Sequence, residues 1–131
     1  MYIIEHNVFT AMHGSLQAEH HADAEVHLDK LRTLLEWSER YRHSEQSREN
    51  ITQYAVQLAL KVIHNQIVET GKLRLVICLI DVALQINQFK LTMPEREVVA
   101  FTSSLAEGVE DIDKLIEWLA EYTEEDMTVS A

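Results

Sequence analysis

Three glycines and one proline in 131 residues leave this chain few ways to turn sharply, and that scarcity limits its fold more than any other feature. A sandwich or barrel of many short strands needs a turn signal roughly every ten residues. Helices joined by short polar connections need far fewer. The expected fold class is therefore all-α: a small bundle of four to five helices with a central antiparallel hairpin and a long C-terminal helix. With 47% hydrophobic residues, a chain of this length can bury roughly two thirds of the surface its unfolded form exposes. One domain over residues 1–131 is the expectation.

Periodicity locates the helices. In "SRENITQYAVQLALKVIHNQIVET", residues 47–70, apolar side chains surround a narrow polar stripe through Gln53, Gln57, Lys61 and His64, the pattern of a mostly buried helix. Gly71 stands where a left-handed C-terminal residue is wanted. "KLRLVICLIDVALQINQFKL" follows, with a polar seam through Arg74, Cys78, Asp81, Gln85 and Gln88, and reads as the second member of the hairpin. "TMPEREVVAF" carries a helix start, with Thr92 as cap, Pro94 in the first turn and Glu95 closing a T-x-x-E box. From about Met93, the positions Val98, Phe101, Leu105, Val109, Ile112, Ile116 and Leu119 keep helical phase straight through Gly108. The prediction is one helix to about Thr123, followed by a frayed tail over 124–131. Earlier in the chain, residues 22–42 have the spacing of an amphipathic helix. Residues 1–20 suit either a helix through Ile4, Val8, Ala11 and Met12 or a short extended arm at "MYII".

Net charge is −11, unevenly spread. Residues 1–47 carry 8 acids and 4 bases, 48–94 carry 3 and 5, and 95–131 carry 11 and 2. An acidic chain repels phosphates and anionic bilayers, so direct nucleic-acid binding or membrane attachment is not expected. The most apolar run, "LRLVICLIDVALQI", is shorter than the about 20 residues a membrane span requires. A single cysteine, Cys78, and the unremarkable start "MYIIEHN" point to a reducing cytoplasm.

The histidines His6, His13, His20 and His27 repeat every seven residues, with His21 beside them. On a helix that repeat separates neighbours by about 10.5 Å, too far for two of them to share one ion. Metal ligands on a helix sit three or four apart, which leaves only pairs such as His21 with Glu25 and His20 with Asp23. No metal or cofactor is expected. The series reads as a solvated flank or a pH-sensitive surface. Cys78, between Arg74 and Asp81 on a polar seam, has no general base fixed beside it, although His64 on the preceding helix could lie near. Phosphate-cradling and nucleophile-elbow motifs are missing.

The least ordinary feature is the outward side of the last helix. Glu107, Glu110, Asp111, Glu117, Glu121 and Glu124 cluster there with Lys114 as the only cation, and like charges four apart cost a few tenths of a kcal/mol each. The expected function is a non-enzymatic protein-binding protein of inhibitor, chaperone or adaptor type. It would engage a basic protein partner through those six acids. The alternative is a self-assembling bundle, a homodimer whose seam is Phe101, Leu105, Val109, Ile112, Ile116 and Leu119. The argument for it is that a helix about 45 Å long outruns a compact monomer of this size. A small helical enzyme ranks third.

Overall fold

The structure is a computed structural model that describes residues 1–20, 27–65, 72–108 and 111–126, without the side chains of 15–20. It contains six α-helices among the described residues: α1 His6–His20, α2 Leu28–Ser38, α3 Arg48–His64, α4 Lys72–Ile86, α5 Glu95–Glu107 and α6 Ile112–Glu121. A 3-10 turn, Glu39–Tyr41, extends α2, and two short strands, β1 Phe89–Leu91 and β2 Thr123–Glu125, pair antiparallel. None of the described helices is long and apolar enough to cross a membrane.

The centre of the molecule is α3 against α4. Ser47 caps α3 by accepting from Asn50 N. That helix buries Ile51, Tyr54, Ala55, Leu58 and Val62, and α4 buries Leu75, Val76, Leu79, Ile80, Ala83 and Leu84. Each fully buried leucine or isoleucine contributes about 1.5–3 kcal/mol relative to exposure. The polar stripes lie on the outer faces, with Gln53, His64, Arg74 and Gln85 exposed. Gly71 and the link 66–71 lie outside the described residues.

Residues 1–5 form an arm ahead of α1, and its Ile3 and Ile4 side chains are buried. Ile4 N donates to the Tyr54 hydroxyl at 3.0 Å, and that hydroxyl shares a hydrogen bond with Ser38 Oγ at 3.0 Å. Tyr54 also stacks on Trp37 and tilts against Tyr41, so arm, α2 and α3 meet at one aromatic cluster. The α1 face that turns inward is Phe9 with His13 at i+4, while Ala11 is exposed.

Three expectations are corrected. The long C-terminal helix is two helices: α5 ends at Glu107 because Gly108 adopts a left-handed φ of 67° and returns its N–H to Ser104 O at 3.1 Å. A fresh start follows, with the Asp111 carboxylate accepting from Asp113 N at 3.2 Å. The residue before a proline is pushed out of the helical region, so α5 begins after Pro94 instead of at Met93. Thr92 is then not a cap; its N–H and hydroxyl both go to Tyr122 O, at 2.6 and 2.9 Å. Finally, α4 stops at Ile86 and "FKL" becomes β1, in register Phe89 with Glu125, Lys90 with Glu124 and Leu91 with Thr123, so the expected frayed tail is a paired strand at Glu124 and Glu125, while 127–131 lie outside the described residues.

Candidate functional site

The acidic side of the C-terminal region is built by α6 and β2. Leu115 and Leu119 anchor α6 with 1% and 0% exposure, and Thr123 continues that buried line into β2. With those positions turned inward, helical geometry turns Asp113, Glu117 and Glu121 outward at spacings of four, and all three are exposed. Trp118 holds the helix's orientation. Its ring meets Phe101 edge-on at 5.2 Å, and its indole N–H donates to Glu97 Oε2 at 3.0 Å, tying α6 to α5. β2 then adds Glu124 and Glu125, both exposed, with Lys90 opposite Glu124 on the neighbouring strand.

Electrostatically this face differs from the acids at the other end of the chain. Arg42 grips Glu5 and Glu39, each at 2.8 Å, and its guanidinium holds the Glu39 carboxyl below the usual range. Among the described residues, no ion pair engages Asp111, Asp113, Glu117, Glu121, Glu124 or Glu125. Asp111 uses its carboxylate as the helix cap, and Asp113 adds a favourable charge at the helix N-terminus. Glu117, Glu121 and Glu124 have no such use. Glu121 is in the last turn, where the helix dipole disfavours an anion.

Of the six acids marked in the sequence, Asp111, Glu117, Glu121 and Glu124 share this α6–β2 segment. Glu107 is exposed at the end of α5 instead, and Glu110 lies outside the described residues. Asp113, outside those six, shares the exposed side of α6 with Glu117 and Glu121, whereas Glu125 alternates to the other side of β2 from Glu124. The i+4 spacing of Asp113 from Glu117 is its signal in the sequence. In the apolar series, Phe101, Leu105 and Leu119 are buried inside the chain and Ile116 packs against the same core. Ile112 is 36% exposed, and Val109 lies outside the described residues. With the helix broken at Gly108, the length argument for a seam between copies no longer applies.

The histidine series is distributed over two helices. His6 is exposed at the start of α1, His13 is buried further along it, and His27 is the residue before α2. Burial lowers the His13 pKa below its usual value. His21, Asp23 and Glu25 lie outside the described residues, as does the His20 side chain. Among the described residues, no three His, Cys, Asp or Glu side chains gather closely enough to hold an ion.

Two grooves mark the surface of the described residues. One, of about 390 Å³, lies between the start of α1 and α2 and is lined by His6, Leu28, Arg32, Leu35, Glu36 and Glu39. The other, of about 460 Å³, runs between α4 and α5, with Leu73, Ile77, Val98 and Val99 on its walls and half-exposed Cys78 among them. The described lining of that groove supplies neither imidazole nor carboxylate beside Cys78. His64 lies instead against Gly108, where its Cε1 is 3.7 Å from the position a Cβ would take.

Comparisons with protein-family models, with curated proteins and with solved structures return no match. Any functional reading rests on this geometry.

Proposed function

We propose that this chain is a non-enzymatic binding protein whose α6–β2 acidic face engages a basic protein surface. The observation that supports it is the run Asp113, Glu117, Glu121 and Glu124, exposed and without ion pairs among the described residues. Repulsion at i+4 makes such a stripe slightly unfavourable for the folded chain. A surface selected for stability alone would intersperse lysines. Complementary charge gives a partner fast, oriented encounter and excludes acidic competitors. The same net charge disfavours nucleic acid and anionic lipid as direct ligands.

The test is capture of binding proteins from the native host's lysate at low and at physiological salt. Wild type is compared with the triple replacement Glu117→Gln, Glu121→Gln, Glu124→Gln. A second triple, Glu36→Gln, Glu45→Gln, Glu49→Gln, removes the same charge from exposed positions elsewhere and spares the Arg42 pairs. A basic protein held by wild type and by the second triple, but released by the first, is the expected result. Equal loss from both triples would reduce the effect to bulk charge and overturn the assignment of a face.

A further inference from the structure

The outer face of α5 carries a pattern that the acidic face does not explain. Taking about 100° per residue, Arg96, Ala100, Ser103 and Glu107 lie within a narrow strip of the helix surface, and all four are exposed. Phe101 and Leu105, on the opposite side, are buried. The strip is thus a cation at the N-terminal end, an anion at the C-terminal end and two small side chains between. Glu95 lies about 100° away from Arg96, off the strip. Neither Arg96 nor Glu107 takes part in an ion pair among the described residues. Along one flank runs the groove of about 460 Å³ shared with α4, whose walls include exposed Arg74 together with Val99 and Leu73, 62% and 41% exposed, large values for aliphatic side chains.

We propose that two copies of the chain associate through this face, their α5 helices packing antiparallel about a twofold axis that passes between Phe101 and Thr102. In that arrangement Arg96 of each copy meets the partner's Glu107, because the two positions are symmetric about the axis. Ala100 then faces the partner's Ser103, and small residues at the crossing let two helices approach at the close end of the usual 8–10 Å range. Val99 and Leu73 on the groove walls of one copy pack against the same walls of the other. The charge pattern selects the occupant. A foreign basic or acidic partner would call for one sign along the strip, whereas one cation and one anion at opposite ends complement a second copy of themselves, as an isologous interface requires. The buried seam Phe101, Leu105 and Leu119 has no part in it.

Sedimentation equilibrium of the full chain across micromolar concentrations at physiological salt tests this. Wild type is expected to show a monomer–dimer equilibrium. Ser103→Arg places a long cation at the crossing, where the monomer has open solvent, and should give a monomer with unchanged helical circular dichroism. Arg96→Glu puts like charges together twice per dimer and should weaken association about tenfold or more. Adding Glu107→Arg to Arg96→Glu should restore it, a recovery that a folding defect would not produce. A wild type that remains monomeric at high micromolar concentration, a dimer indifferent to Ser103→Arg, or a double charge reversal that fails to recover would each overturn the proposal.

Discussion

Asn87 and Tyr2, 85 residues apart in sequence, are joined by a pair of hydrogen bonds that imitates strand pairing. Tyr2 N donates to Asn87 Oδ1 at 2.8 Å, and Asn87 Nδ2 donates to Tyr2 O at 2.9 Å and to Ala83 O at 2.9 Å. The Asn87 side chain is fully buried. It closes the end of α4 and holds the N-terminal arm over the core. Asn87→Leu leaves a backbone donor and two carbonyls without these partners, at a cost of about 1–3 kcal/mol for each group that stays buried and unpaired. Urea denaturation should show the loss, and hydrogen exchange should show early opening of residues 2–4. Unchanged exchange there would mean that the packing of Ile3 and Ile4, with the Ile4 N–H to Tyr54 and the N-terminal amine to Ser44 O, holds the arm without Asn87.

Gly108 separates two descriptions of the C-terminal region by the sign of one substitution. In the middle of a continuous helix, Gly→Ala stabilises by about 1 kcal/mol. At a left-handed cap with φ 67°, it destabilises by about the same amount, since a Cβ there meets its own backbone. The space itself is not limiting, because the nearest atom, His64 Cε1, is at ordinary contact distance. Gly108→Ala is expected to lower the melting temperature without raising helical circular dichroism. A gain in both would mean that α5 and α6 join.

His13 introduces a pH dependence. Burial lowers its pKa from 6.5 in the fold, so between its two pKa values the unfolded chain binds more protons than the folded one. Stability then rises with pH across that window. Its contribution is complete above about pH 6.5 and declines as the pH falls toward the lower, folded value. His13→Leu should remove this component, so that the stability difference between wild type and variant moves against wild type on going from neutral to mildly acidic pH. Parallel pH profiles would contradict a buried, neutral His13.

The parts of the fold legible in the sequence are those carried by local periodicity. The outward stripes of α3 and α4 follow from their spacing, because a helix with apolar residues nearly all round has one way to sit in a small core. The break at Gly108 was hidden because Val98, Phe101 and Leu105 remain in phase with Ile112 and Leu119 across it, and the E-G-V-E-D run reads equally as helix interior or as cap and restart. β1 and β2 were invisible for a different reason. Strands of three residues show no alternation, and their pairing joins segments more than 30 residues apart, flanked at one end by Thr92 N–H to Tyr122 O and at the other by Asp126 N–H to Gln88 O. At the acidic face, exposure of Glu117 and Glu121 followed from phase, while the placement of Glu107 on another helix depended on the break.

If Glu117, Glu121 and Glu124 serve a partner, the fold does not need their charges. Thermal melting of the triple glutamine variant at low and at high salt measures this without any knowledge of the partner. The expected result is a melting temperature equal to or above that of wild type at low salt, through relief of like-charge contacts. The difference should shrink at high salt, where a Debye length of about 3 Å at 1 M screens them. A clear fall in melting temperature at low salt would show that these carboxylates stabilise the chain itself, and would contradict their assignment to an external basic surface.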